Sequence, residues 1–146
     1  RDVIDDANMG RRYLPGTWIE NCKCEEILIP SNQQVIIIKK AVKRLLTLAE
    51  EYYESGFNGL PFLSLRVRFV VLIAGRVYKR IGSKIQNSNF NIWGGRIYTT
   101  RIEKLLELIV SVLAFFASPS FYTYKTKHKK CLHKALEGCP GANIAK

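Results

Sequence analysis

The amino-acid sequence predicts an all-α protein, because three long segments carry the residue patterns of helices. They span residues 31–56, 62–86 and 100–118. Each segment is longer than a typical strand, and each ends at or just before a glycine, asparagine or proline, which commonly end helices. With 146 residues, 47% of them apolar, the chain is long enough to form one domain around a hydrophobic core.

The part of the chain before residue 57 is predicted to hold a short helix, a loop-rich segment and a long helix. Residues 1–9 form the last turns of a helix that Gly10 ends, because glycine adopts the left-handed conformation found after helix C-termini. Residues 10–31 are loop-rich. Ser31 can cap the first long helix, which is expected to stop at Gly56. Its apolar stripe comprises Ile38, Ala41, Val42, Leu45, Leu48, Ala49 and Tyr52, and the opposite face is basic, with Lys39, Lys40, Lys43 and Arg44.

The second long segment, residues 62–86, follows a turn and is apolar on nearly all sides through residues 69–74. Its β-branched residues also permit a buried strand, but a run of this length without a pair of helix breakers favours a central helix. A polar, glycine-containing loop follows at residues 87–95. Thr100 and Glu103 then have the spacing of a capping box, which predicts the start of the third helix.

The third helix is predicted to end at Ser118 and Pro119, where the composition of the chain changes. A lysine cluster and then small residues follow, without helical spacing. We therefore expect one helical unit at residues 1–118 and a basic, poorly ordered tail at residues 119–146.

The chain is strongly basic, with a net charge of +11 and an isoelectric point near 9.7. Such a charge favours anionic partners, which include diphosphates, acidic lipid headgroups and nucleic acid. Charge alone does not choose among them. The first residues are charged rather than apolar and do not resemble a secretory leader, so the four cysteines are expected to be reduced thiols of a cytoplasmic protein.

The beginning of the chain carries the most informative pattern, a pair of aspartates four positions apart. On a helix, Asp2 and Asp6 project from one face with Cβ atoms roughly 5–6 Å apart. Mg²⁺ commonly takes one or two carboxylates together with phosphate oxygens of a substrate, so this pair could form half of a diphosphate site. Arg11, Arg12 and Tyr13 follow closely and could bind the same phosphates. The spacing alone favours an ordinary solvated helix face, because acidic pairs at this spacing are common on helices.

The run RDVIDDANMGRRYLP, residues 1–15, resembles the second aspartate-rich motif of the squalene/phytoene synthase family. The resemblance continues through AEEYYESGFNGLP at residues 49–61, AGRVY at residues 74–78 and NFNIWGGRIYTTRIEKL at residues 89–105. It implies an all-α fold, namely part of the class I isoprenoid synthase helical bundle. Residues 1–118 would then be the C-terminal part of a synthase-like domain.

The resemblance implies roles for the residues of the first motif. Asp2 and Asp6 fall on the family's metal-binding aspartates and would be catalytic through Mg²⁺. Asp5 lies where the family commonly has glutamate and would shape the local potential rather than bind the metal directly. Arg11 matches the arginine of the family's arginine-x-tyrosine element, and Tyr13 would donate its hydroxyl group to a diphosphate oxygen.

Two more diphosphate-binding residues are implied further along the chain. Tyr78 matches a tyrosine that points to the phosphate end of the family's cavity, although a buried tyrosine of the helical core is an alternative. Arg96 matches an arginine that clamps the diphosphate. Gly95 departs from the family pattern, in which a second basic residue is common, and Arg12 occupies a variable position to which no role is assigned.

The activity implied by the resemblance is that of a prenyltransferase, the Mg²⁺-dependent head-to-head condensation of two prenyl diphosphates, either farnesyl or geranylgeranyl diphosphate. The sequence does not decide between a squalene-like and a phytoene-like product, or whether NADPH is used. The family uses two aspartate-rich motifs on facing helices, and the sequence holds no second cluster after Asp6. We therefore expect the chain to be the C-terminal portion of a synthase and to be inactive alone.

A nucleic-acid-binding module is one competing interpretation, suggested by basic and aromatic residues near the end of the chain. They are Lys125, Lys127, His128, Lys129, Lys130 and Lys134, with Tyr122 and Tyr124 nearby. A solvated tail has the same composition, and no recognised nucleic-acid-binding motif accompanies the cluster. The sequence therefore disfavours nucleic acid as the partner.

A membrane-surface role is the second competing interpretation. Between Lys104 and Lys125 only Glu107 is charged, a pattern that favours a buried or interfacial helix over a spanning helix. The lysines beyond could meet anionic headgroups, which would give peripheral contact at the inner face of a membrane.

Overall fold

The structure is a computed structural model that describes residues 2–117, together with residues 122, 123, 131, 132 and 134. Every regular element in this described part is helical, which confirms the all-α prediction. The helices are α1 (Val3–Asn8), α2 (Cys24–Leu28), α3 (Asn32–Asn58), α4 (Leu65–Asn87) and α5 (Arg101–Ala117), with 3₁₀ turns at Gly16–Trp18 and Leu60–Phe62. Most of the expected tail, residues 119–146, lies outside the described residues, as does Arg1.

The short helix α1 ends where the sequence predicts. Gly10 has φ of +70°, the left-handed conformation that glycine adopts without strain. The following segment is more ordered than its loop-rich composition suggests, because it contains both a 3₁₀ turn and α2. Arg12 fastens this segment: its Nη1 donates to the carbonyl oxygen of Cys22 at 3.1 Å.

Helix α3 begins at the predicted cap and ends later than predicted. Ser31 and Gln34 form a capping box, in which the Ser31 N–H donates to Gln34 Oε1 at 2.8 Å and the Gln34 N–H donates to Ser31 Oγ at 3.3 Å. The predicted stop at Gly56 is wrong, since the helix continues to Asn58. Phe57, which follows Gly56, packs its ring against Gly75 of α4. This tertiary contact outweighs the low helix propensity of Gly56.

Helix α4 confirms the prediction of a helix over a strand, but it starts at Leu65 because the Leu60–Phe62 turn precedes it. Arg68 ties the turn to the helix by donating to the carbonyl oxygens of Pro61 at 2.7 Å and Leu63 at 2.9 Å. The segment is not buried on all sides, since Val70 and Val71 are exposed.

Helix α4 packs between α3 and α5. At the α3 side, a Cβ placed on Gly75 would lie 2.8 Å from the Phe57 ring, and one on Gly82 would lie 3.4 Å from Leu46. Glycine therefore allows the two helices to approach closely. At the α5 side, Phe69 packs edge-on against Phe115 with ring centroids 5.3 Å apart, so an aromatic contact joins the two helices.

Helix α5 begins at the predicted capping box. The Thr100 N–H donates to Glu103 Oε2 at 2.7 Å, and the Glu103 N–H donates to Thr100 Oγ1 at 3.2 Å. Within the described residues, three ion pairs join α5 to α4: Lys84 with Glu103 at 2.9 Å, Arg76 with Glu107 at 3.1 Å, and Arg80 with Glu107 at 4.0 Å. No helix within the described ranges is long and apolar enough to cross a membrane.

The hydrophobic core lies at one end of the molecule, where α1, α2, the start of α3 and the end of α4 meet. Its buried members are Ala7, Leu14, Ile19, Cys22, Ile27, Ile38, Ala41, Val42, Ile81, Ile85 and Ile92. The predicted apolar stripe of α3 is therefore buried only in its first half, and its later members Leu45, Leu48 and Tyr52 remain exposed. This core fixes α1 and the loop after α4 relative to each other.

Candidate functional site

Asp6 lies on α1 as the sequence predicts, and Asp2 lies directly before the helix. Asp2 is the N-terminal flanking residue, and the Asp6 N–H donates to the Asp2 carbonyl oxygen at 2.8 Å, so the two residues are one helical turn apart. Ala7 is buried in the core and holds the helix in place. Asp2 and Asp6 are half-buried and Asp5 is exposed. The carboxylates thus stand on a fixed helix at the edge of the core.

An open depression of about 540 Å³ lies beside α1. Its lining residues are Asp2, Asp5, Asp6, Met9, Tyr13 and Arg96. Four residues singled out from the sequence, namely Asp2, Asp6, Tyr13 and Arg96, therefore share one surface. Acidic groups, a cation and a phenol meet there, which is the donor set of a metal and phosphate site.

Arg96 reaches this depression from the loop between α4 and α5. Its Nε lies 3.0 Å from Asp2 Oδ1. The loop is anchored by buried Ile92 and by Trp93, whose Nε1 donates to the Ile27 carbonyl oxygen at 2.8 Å. Trp93 was not predicted as a site residue, although it lies inside a segment that carries the family resemblance.

Gly95 has a structural reason to be glycine. Its φ is +95°, a backbone conformation that side-chain-bearing residues rarely adopt. The position at which the family resemblance implies a second basic residue is thus a left-handed turn residue in this chain. Arg96, directly after it, is the cation that meets α1.

Arg11 and Arg12, adjacent in the loop after α1, have different surroundings in the structure. Tyr13 is 67% exposed and lines the depression, while its neighbour Leu14 is buried in the core. Arg12 is engaged with Cys22, which gives it a structural role. Arg11 is exposed, and its N–H donates to the Asp6 carbonyl oxygen at 2.8 Å, but its side chain is not among those that line the depression.

Tyr78 lies apart from this group. It is 59% exposed on α4, so the alternative of a buried core tyrosine is wrong. It is also not among the residues that line the depression. Tyr53 of α3, whose pKa is raised mainly by burial and then by the negative charge of Glu50, is close enough to Tyr78 to interact with it electrostatically. Tyr78 is therefore an exposed residue of α4 that does not join the group beside the aspartates.

The number of protein carboxylates beside the depression determines which kind of metal site they could form. Within the residues that the structure describes, no group of three or more histidine, cysteine, aspartate or glutamate side chains comes together as a metal site. Mg²⁺ needs only one or two protein carboxylates when substrate phosphates and waters complete its shell. The Asp2 and Asp6 pair therefore suits a site shared with a diphosphate better than a site built from protein ligands alone.

Comparisons with known proteins show which family the chain resembles. The sequence model of the squalene/phytoene synthase family matches residues 1–103. The 15-cis-phytoene synthase of Pantoea ananas is 37% identical over 113 residues, which cover 76% of this chain and 36% of that protein. The 15-cis-phytoene synthase of Enterobacter agglomerans is 35% identical over 113 residues, covering 76% and 38% of the two chains.

The same region matches the 15-cis-phytoene synthase of a Paracoccus strain, with 37% identity over 106 residues, 72% of this chain and 34% of that protein. The chain thus spans somewhat more than a third of the length of the curated relatives that it matches. No solved structure is significantly similar to it.

Proposed function

The chain belongs to the squalene/phytoene synthase family, and from this premise we propose that it supplies one diphosphate-binding half of a prenyltransferase site. The observation that carries the proposal is the depression in which Asp2, Asp6, Tyr13 and Arg96 meet. The substrates are prenyl diphosphates, and the reaction is their head-to-head condensation.

The donor chemistry fits Mg²⁺. Asp2 and Asp6 would hold the ion through carboxylate oxygens, with diphosphate oxygens completing its shell. When bound, Mg²⁺ supplies Lewis-acid stabilisation of the negative charge that develops on the leaving diphosphate. Asp5, which is exposed at the rim of the same depression, would contribute charge without direct ligation.

The remaining residues of the site would bind and orient the diphosphate. Arg96 stands against Asp2 and can offer its guanidinium N–H groups to phosphate oxygens, a charge-assisted bond stronger than a neutral one. The exposed Tyr13 hydroxyl can donate from the other side of the depression. Arg11 would add a cation from the rim, and Tyr78 would contact substrate at a second place along α4.

The names of the relatives favour a phytoene-type product, since three of them are 15-cis-phytoene synthases. Farnesyl and geranylgeranyl diphosphate are both candidate substrates.

The depression is open, and Tyr13 and Tyr78 are more than half exposed, so water would reach a reacting carbon at this surface. We therefore expect the 146-residue chain to bind a prenyl diphosphate but not to condense two of them. The proposal also includes an intracellular location with peripheral membrane contact.

Isothermal titration calorimetry with farnesyl diphosphate tests the binding proposal. We expect binding that requires Mg²⁺, and a loss of at least about tenfold in affinity for the double variant Asp2→Asn and Asp6→Asn, because its amides ligate Mg²⁺ more weakly than carboxylates. Asp5→Asn is the matched control from the same depression and should change affinity much less.

Two results would contradict the proposal. One is farnesyl diphosphate binding that is the same with and without Mg²⁺. The other is an equal loss of affinity for the Asp5 variant and the double variant, which would indicate a general effect of negative charge rather than ligation by Asp2 and Asp6.

A further inference from the structure

The outward face of the first half of α3 combines exposed cations with an exposed isoleucine. At 100° per residue, Ile36, Lys40 and Lys43 fall within about 60° of one another on the helix surface. They lie opposite Ile38 and Val42, which are buried in the core. Ile36 is 69% exposed, and both lysines are exposed. We refer to Ile36, Lys40, Lys43 and Arg44 as the α3 face.

A groove of about 560 Å³ runs along this face. Its lining residues are Trp18, Lys40, Lys43, Arg44, Thr47, Leu48 and Glu51. The Arg44 guanidinium lies over the Trp18 ring, 4.2 Å from its centroid. The 3₁₀ turn that carries Trp18 thereby fixes one wall of the groove and the direction of Arg44.

The cations of the α3 face are concentrated rather than alternated with acids. Lys40 and Arg44 are four residues apart, the spacing at which like charges destabilise a helix. Within the described part of the chain, no ion pair is formed by Lys40, Lys43 or Arg44. An anionic surface outside the molecule would therefore relieve a repulsion that the protein itself leaves in place.

The acidic residues of α3 limit this face to the first half of the helix. Glu50 is paired with Lys79 at 2.7 Å. Glu51 also lines the groove, but it lies seven residues beyond Arg44, about 10 Å along the helix axis, which exceeds the Debye length of about 8 Å at physiological salt. A partner that is anionic and broad would thus meet the N-terminal half of α3.

We propose that the α3 face docks on the anionic surface of a lipid bilayer. Lys40, Lys43 and Arg44 would meet phospholipid headgroups, and Ile36 would enter the boundary between headgroups and acyl chains, as apolar residues of interfacial helices do. Ile29, just before α3, is 87% exposed and offers a second aliphatic side chain near the same end of the helix.

The other anionic partners fit less well. A nucleic acid would gain little from exposed isoleucines, and the Trp18 ring has one face already covered by Arg44, so it offers little for stacking with bases. A second copy of the chain could place its glutamates against these lysines, but each copy carries a net charge of +11, which opposes self-association.

This inference gives a definite surface to the peripheral membrane contact included in the proposed function, and it rests on that part of it. It is independent of catalysis, because docking uses none of the residues that line the aspartate depression. If the chain failed to bind vesicles, the proposal of Mg²⁺-dependent diphosphate binding would still stand. If it failed to bind diphosphate, the proposal of membrane docking would still stand.

Sedimentation of the full 146-residue chain with vesicles tests the proposal. We expect binding to phosphatidylcholine vesicles that contain phosphatidylglycerol, weak binding to pure phosphatidylcholine vesicles, and loss of binding as salt is raised. The double variant Lys40→Glu and Lys43→Glu should lose at least about tenfold in vesicle affinity. Ile36→Ser should also weaken binding while leaving its salt dependence unchanged.

The matched control is the double variant Arg66→Glu and Arg101→Glu, which makes the same charge change at exposed positions of other helices. It should retain most of the binding, and circular dichroism should show both double variants to be folded. The proposal is overturned if both variants lose vesicle binding equally or if neither does. It is also overturned if the α3-face variant loses affinity only for a DNA or RNA duplex, or loses only self-association measured by analytical ultracentrifugation.

Discussion

The contact between Arg96 and Asp2 is the most informative contact of the site at the scale of single residues. Its atoms are 3.0 Å apart, and the Arg96 side chain is 58% exposed. An ion pair in such a position contributes little to stability, typically about 0–1 kcal/mol. The ion pair matters for binding instead, because it holds the Arg96 guanidinium beside the Asp2 carboxylate where a phosphate would be bound.

Replacing Arg96 by glutamine separates binding from stability. We expect Arg96→Gln to lower diphosphate affinity by about tenfold, because a charge-assisted hydrogen bond is lost, and to change the free energy of unfolding by less than about 1 kcal/mol. Calorimetric titration and urea unfolding measure the two quantities. The control is Arg101→Gln, which removes an exposed arginine outside the depression; equal losses of affinity in both variants would contradict the assignment.

The ionisation of Glu103 is strongly perturbed by its hydrogen bonds at the start of α5. The Thr100 backbone N–H and then the Lys84 side chain bond to its carboxylate and lower its pKa from 4.5 to about 2. The charged form is therefore favoured in the folded protein. The stabilisation that it provides is fully present above about pH 4.5 and is lost as the pH falls toward 2.

This linkage predicts the pH dependence of a variant. Glu103→Gln should be less stable than the parent chain at pH 6, and the difference should shrink as the pH falls from 4.5 toward 2, because the parent loses the same interaction by protonation. Urea unfolding at several pH values measures it, with Glu20→Gln as a control for charge removal. A difference that is constant between pH 6 and pH 2.5 would show that the carboxylate charge is not the cause.

At the scale of helices, the close approach of α3 and α4 depends on glycine at one position and not at another. A Cβ on Gly75 would lie 2.8 Å from the Phe57 ring, whereas a Cβ on Gly56 would meet nothing within 4 Å. Both glycines lie inside helices. The same substitution at the two positions therefore distinguishes packing from helix propensity.

We expect Gly75→Ala to destabilise the chain by about 1–2 kcal/mol, because overpacking exceeds the gain in helix propensity. Gly56→Ala should instead stabilise it by about 0.5–1 kcal/mol. Thermal and urea unfolding measure both changes, and Phe57→Leu in the Gly75→Ala background should recover part of the loss. Equal stabilisation by the two alanines would show that the helices do not meet closely at Gly75.

The helices show which part of the fold can be predicted from sequence. The caps at Ser31 and Thr100 and the glycine at position 10 were predicted correctly, because each is a local arrangement of residues close in sequence. The end of α3 was not, because the contact that carries the helix past Gly56 comes from Gly75, nineteen residues away. Helix α2 was also missed, since its apolar residue Ile27 is recognisable as core only once the neighbouring elements are in place.

At the scale of the whole molecule, the candidate site could be predicted in its membership but not in its arrangement. The motif resemblance pointed to Asp2, Asp6, Tyr13 and Arg96, which the fold brings together across more than ninety residues. It also pointed to Tyr78, which is exposed on α4 and does not line the depression. A motif records which residue types occur, whereas the direction of a side chain depends on how the helices pack.

The net charge of the chain does not indicate a partner until the positions of the charged residues are known. The net charge of +11 was compatible with diphosphate, lipid and nucleic acid alike. The structure separates a single arginine beside three aspartates from a cluster of cations on the outside of α3. The first arrangement suits a metal-bound diphosphate and the second suits a broad anionic surface, so the two proposals concern different parts of the molecule.

The central claim is that a metal and a diphosphate meet between α1 and the loop that carries Arg96. The most direct test replaces Mg²⁺ by paramagnetic Mn²⁺, which accepts the same oxygen ligands, and measures line broadening in amide NMR spectra of the chain. We expect broadening of α1 and of the residues around Arg96 that becomes strong when farnesyl diphosphate is added. Broadening centred elsewhere, or broadening that the diphosphate does not enhance, would contradict the claim.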